Sequence, residues 1–107
     1  MSDDDLIILI DHIGRSIRLT RERRAHILEH PEMTGQLERL RETLAQPEVV
    51  IATTADASVH VYHRHYAETP VTSKFLLVAV KWMNTDAFVL TAFFSSRQKK
   101  GTVVWQA

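Results

Sequence analysis

The chain contains no cysteine, so neither a disulfide framework nor a thiolate metal site belongs to it. It lacks a long hydrophobic run as well. Leu6 to Ile10, the apolar segment nearest the start, follows three aspartates instead of a basic region. That argues against a signal peptide or a membrane span and makes the cytoplasm the expected location. Internal repeats and low-complexity segments are missing too. So is an excess of either charge, since thirteen Lys and Arg face thirteen Asp and Glu. The balance hides an asymmetry: Asp3, Asp4, Asp5 and Asp11 lie in the first eleven residues, and without them the remainder carries a net charge of +4. A mildly basic body favours an anionic partner, although an uneven solvated surface looks the same on charge alone.

What is present suits one soluble domain. A chain of 107 residues, 45% apolar and 24% charged, buries roughly two-thirds of its unfolded surface. Its organising stretch is Ser73 to Gly101. Phe75 to Val80 and Ala87 to Phe94 are apolar runs rich in strand formers, and Asn84, Thr85 and Asp86 supply a turn between them. A cationic exit follows with Arg97, Lys99 and Lys100.

Before this hairpin, Leu6 to Ile10 reads as a short edge strand ended by Gly14, and Ile17 to Leu19 as a second extended piece. Thr20 is an N-cap for a helix to about Glu29, with Ala25 and Leu28 facing inward and Ile27 flanking; Pro31 stops it. A second helix spans Thr34 to Ala45 on the stripe Leu37, Leu40, Leu44, and Pro47 ends it. Glu48 to Thr53 and Ser58 to Tyr66 read as strands, and Thr102 to Trp105 as a last short one. The expected class is α+β, with N-terminal helices packed on one face of a four- to five-stranded antiparallel sheet. Residues 17–105 form its core, and 1–16 an acidic and apolar extension or edge strand.

Two histidine groups invite a metal reading. His26 and His30 fall in an H-x-x-E-H pattern, but Pro31 leaves His30 at a helix end. His60 points away from His63 and His65 in a strand, so one ion does not see all three. No metal or cofactor is expected. RNA cleavage through the 2′-hydroxyl instead needs a base, an acid and cations for the phosphorane. His26 fits the base or acid, Arg64 a bidentate phosphate contact, and Lys81 and Thr91 complete a catalytic set. Tyr62, Arg97, Lys99 and Lys100 would hold RNA or its phosphates. Each has a plainer role: His26 as a helix cap, Thr91 bonded to a backbone carbonyl, Arg97 to Lys100 as a solvated loop.

Several segments carry a resemblance: Leu19 to Arg23, His26 to Glu32, Val61 to Arg64, Lys74 to Lys81, Phe88 to Phe93, and Lys99 to Gly101. In that order and spacing they resemble the phage and bacterial nuclease-fold domains of the Barnase–EndoU–colicin–RelE-like group, over about residues 17 to 105. The resemblance implies an RNase-toxin-like fold and a metal-independent endoribonuclease acting on RNA. It places His26, Arg64, Lys81, Thr91, Arg97 and Lys100 at the group's functional positions, and it leaves room for a cognate inhibitor or antitoxin. The start to Asp11 and Phe94-Ser95-Ser96 depart from the pattern. The alternative is a catalytically inactive module of the same fold that binds protein or nucleic acid; a strand edge also admits a homodimer.

Overall fold

The computed structural model describes residues 6–107, so the aspartates at positions 3 to 5 lie outside the described residues. Strands β1 (Ile7–Ile10) and β2 (Ser16–Leu19) lead, followed by helix α1 (Arg21–Ile27), a 3-10 turn (Pro31–Met33) and helix α2 (Leu37–Ala45). Then come β3 (Val49–Thr53), β4 (Val59–Tyr66), β5 (Lys74–Met83), β6 (Asp86–Ser95) and β7 (Gly101–Gln106). The strands form one sheet in the spatial order β1-β2-β6-β5-β4-β3-β7. Neighbours run antiparallel except β2 and β6, which are parallel and meet at Arg18 and Phe88.

This corrects the expected architecture. In place of leading helices on four or five antiparallel strands, the fold is mostly sheet: seven strands, mixed in direction, with two short helices. The physical reason lies at the two ends of the chain. β1 and β2 close a hairpin through Asp11 N–H to Arg15 O and Gly14 N–H to Asp11 O, both 3.0 Å. Its inward residues Leu9, Ile17 and Leu19 are fully buried, so what reads as an extension sits in the core. Burial of that size, about 1.5–3 kcal/mol per side chain, outweighs the weak pairing of a four-residue strand. At the other end, β7 adds beside β3, giving every residue from Val49 to Ala52 a neighbour on both sides.

The helices are shorter than the sequence predicts. Thr20 caps α1 as expected, its Oγ1 accepting the Arg23 amide at 3.2 Å. The helix ends at Ile27, which is buried, while Ala25 and Leu28, expected to face inward, are exposed. With under two turns available, the buried face falls one residue earlier. α2 starts at Leu37 because Gly35 takes φ +76°, a conformation that interrupts any helix begun at Thr34. Its stripe holds: Leu40 and Leu44 are buried, and Leu37 packs against the same core.

Cross-strand partners share a sheet face, which sorts the sheet into two sides. Val50, Tyr62, Val78 and Ala92 form one rung, facing the helices and the main core. Ile51, Val61, Ala79 and Thr91 form the next, facing the other way. That second side carries a smaller apolar cluster, Val61, Leu77 and Ala79 with Val59, Phe75, Leu90 and Phe93, and no helix among the described residues packs on it.

Candidate functional site

The sheet divides the predicted site residues. Arg64 pairs with Leu76 and, through it, Phe94, so it lies on the helix side. There its Nη1 donates to the Gln46 carbonyl at 2.8 Å and its Nε lies 3.5 Å from Glu42 Oε1. Tyr62 is on the same side and wholly buried. Its hydroxyl donates to Asp11 Oδ2 at 2.8 Å and accepts from Arg15 Nη2 at 3.2 Å. His26 is exposed on α1, with Glu29 at 4.0 Å. Thr91 and Lys81 lie on the open side. The predicted catalytic set therefore does not converge, because its arginine and its threonine look out of opposite faces of one sheet.

The Tyr62 cluster is closed. Asp11 accepts four hydrogen bonds, from the Ile13 and Arg15 amides, Arg15 Nε and the Tyr62 hydroxyl. Burial pushes its carboxyl up, but these donors outweigh that and hold its pKa below the ordinary value. Arg15 also stacks on Trp82, 3.9 Å from the ring centroid. All of this fastens the β1–β2 turn to β4 and β5.

On the open side, the remaining candidates do meet. Thr91, Phe93, Lys99 and Lys100 line a cleft of about 610 Å³ whose floor is Val59, Val61 and Ala79. Asp56 belongs to the lining as well. Lys81 borders it through Asp56, its Nζ donating to Asp56 Oδ2 at 2.7 Å and to Ser58 Oγ at 2.6 Å. Hydrogen bonds from Lys81 and Ser58 lower the Asp56 carboxyl to about 2, so it stays an anion neutralised by Lys81. Among the described residues, the cations left lining the cleft are Lys99 and Lys100. Arg97 is exposed on the same connection between β6 and β7, its carbonyl accepting from Ser95 Oγ at 2.9 Å.

The connection reaches the cleft because of His63. This histidine shares the open side with Leu77 and is fully buried. Its Nε2 accepts the Lys99 amide at 2.9 Å. Among the described residues no three His, Asp or Glu side chains gather as a metal site. His60 lies on the helix side, opposite to His63 and His65, as strand alternation requires. No helix among them is long and apolar enough to cross a membrane.

Asp56, Ser58, Phe93 and the buried role of His63 escape the sequence reading. Asp56 was legible only as turn chemistry, since its tie to Lys81 depends on the β4–β5 register. Compared with protein-family models, with curated proteins and with solved structures, the chain shows no match, so the site rests on its own chemistry.

Proposed function

We propose that the domain is a binding module for single-stranded RNA that uses the open side of its sheet and does not turn it over. The observation that carries this reading is the cleft joining an aromatic ring and an aliphatic floor to two unneutralised lysines and a threonine hydroxyl. Bases stack or pack on such a floor while ammonium groups take the backbone phosphates. RNA as the ligand implies a cytoplasmic setting, and it agrees with the partner that the nuclease-group resemblance implies. Turnover finds less support. Proton transfer needs a group that titrates near neutrality in reach of the ligand. Among the residues lining the cleft there is no histidine, and Asp56 is too weak a base.

The test is binding of a short labelled oligouridylate in EDTA, read by fluorescence anisotropy across a salt series. Lys99→Ala with Lys100→Ala lowers affinity at least about tenfold and reduces the salt slope by about 1.4, the value for two phosphate contacts on a single strand. His26→Ala and Arg64→Ala leave binding within about twofold. Absence of binding by the wild type would overturn the RNA reading. Chelator-resistant cleavage that disappears in His26→Ala would overturn the non-catalytic one.

A further inference from the structure

Lys99 and Lys100 belong to a segment without regular secondary structure, between the end of β6 at Ser95 and the start of β7 at Gly101. Ser95 Oγ and the Arg97 amide bond each other at 3.1 Å, which shapes the segment without attaching it to the sheet. The attachment is the Lys99 amide donating to His63 Nε2 across the sheet surface.

A backbone amide only donates, so Nε2 must present a lone pair. His63 is therefore the neutral tautomer with its proton on Nδ1. Protonation would put a second N–H where the Lys99 amide already points, turning an attraction into a clash of two donors. The side chain has no exposed surface on which to escape.

We infer that His63 is a positioning residue for the anion-binding lysines, a latch that holds positions 97 to 100 over the cleft when neutral and releases them when protonated. This rests on the cleft being the ligand site, but the latch can be tested without ligand. Burial lowers the His63 pKa below the ordinary value of 6.5, so the latch is closed at neutral pH and opens as pH falls through the folded value. The groups around it set the sign further. Leu77, Phe75 and Phe93, from β5 and β6, are apolar and give no counter-charge. The segment itself brings Arg97, Lys99 and Lys100, all cations, so it supplies no counter-charge either. Glu48, beside β3, is turned to the His65 amide, which its Oε1 accepts at 3.2 Å. His65, exposed two residues along β4, is bonded at Nε2 to Ser73 Oγ at 2.8 Å, and the positive charge that His63 gains on protonation would by itself strengthen RNA binding. A loss of affinity in acid therefore runs against the simple charge trend, and that makes it diagnostic.

Two readouts separate the latch from the RNA reading. The first is hydrogen exchange of the Lys99 amide, with the His63 tautomer followed by nitrogen NMR, in the free protein. Expected are Nδ1–H at neutral pH and loss of Lys99 protection in step with His63 titration. A Lys99 amide equally protected on both sides of that titration would overturn the latch, whatever RNA does. The second is oligouridylate affinity. The wild type weakens about fivefold as His63 protonates, the size expected for one hydrogen bond. His63→Gln keeps an acceptor without a titration, so it retains neutral-pH affinity and does not weaken in acid. His63→Phe fills the space without an acceptor and binds at every pH as the wild type does in acid. Wild-type weakening that persists in His63→Gln would assign the effect elsewhere and overturn the proposal. RNA binding absent at every pH, with Lys99 protection still following His63, would sink the RNA reading alone.

Discussion

A carboxylate buried beneath a hairpin turn keeps its charge only while its lone pairs are occupied, and Asp11 meets that condition with four donors. Removing it by Asp11→Ala strands Arg15 and Tyr62 and is expected to cost about 3–5 kcal/mol. Tyr62→Phe, which removes one donor from the set, is expected to cost about 1–3 kcal/mol. Urea unfolding measures both. The same groups set an acid profile with a defined sign. His12, His60 and His63 have folded-state pKa values lowered chiefly by burial from 6.5. The unfolded chain therefore takes up these protons first, and stability present above about pH 6.5 is lost as pH falls from there through the folded values. Asp11, lowered from 3.8, adds a second loss as pH falls below about 3.8 through its folded value. Unfolding free energy that stays flat from neutrality to about pH 5, below the ordinary histidine range of about 6.6 ± 1, would contradict the first stage.

Among the elements, the β3–β7 pairing depends on one residue without a side chain. Gly101 takes φ +154°, and a Cβ there would stand 2.1 Å from the Ala52 carbonyl oxygen and 2.8 Å from Ile51 Cγ2. Gly101→Ala is expected to lose more than about 2 kcal/mol and to detach β7, seen as lost amide protection on that flank of β3. The elements also mark where the sequence could be read. Long periodic segments spoke clearly. The β5–β6 hairpin turns at Asn84 and Thr85, and Leu40 and Leu44 face the core. The two four-residue strands were readable as extended pieces but not as partners, because Ile7–Ile10 carries no polar alternation and Ser16–Leu19 too little of it to show what each pairs with. Nor could the site be assembled from types alone. Thr91 reaches the open face where β6 slips register, one extra residue, Leu90, lying between the partners of Ala79 and Val80. Arg64 is drawn to the other face by simple alternation. Spacing along a strand says which residues oppose each other, not which side faces the helices.

For the whole molecule, one sheet with different duties on its two sides predicts that effects separate. Helix-side changes such as Tyr62→Phe should move stability and leave oligouridylate affinity unchanged. Open-side changes such as Thr91→Val should do the reverse, losing about threefold to tenfold in affinity for one hydroxyl contact. Isothermal titration together with thermal melting of the same samples checks both.

The parallel neighbours β2 and β6 have a further consequence, for the order of events during synthesis. Arg18 meets Phe88, and its guanidinium pairs with Asp86, so the first hairpin finds its place only after almost the whole chain has left the ribosome. Until then Leu9, Ile17 and Leu19, buried in the finished fold, have no sheet to lie on. Folding should therefore be slow for a domain of this size, as non-local sheet contacts dictate. Nascent chains that stop before β6 should engage chaperones through residues 6 to 19.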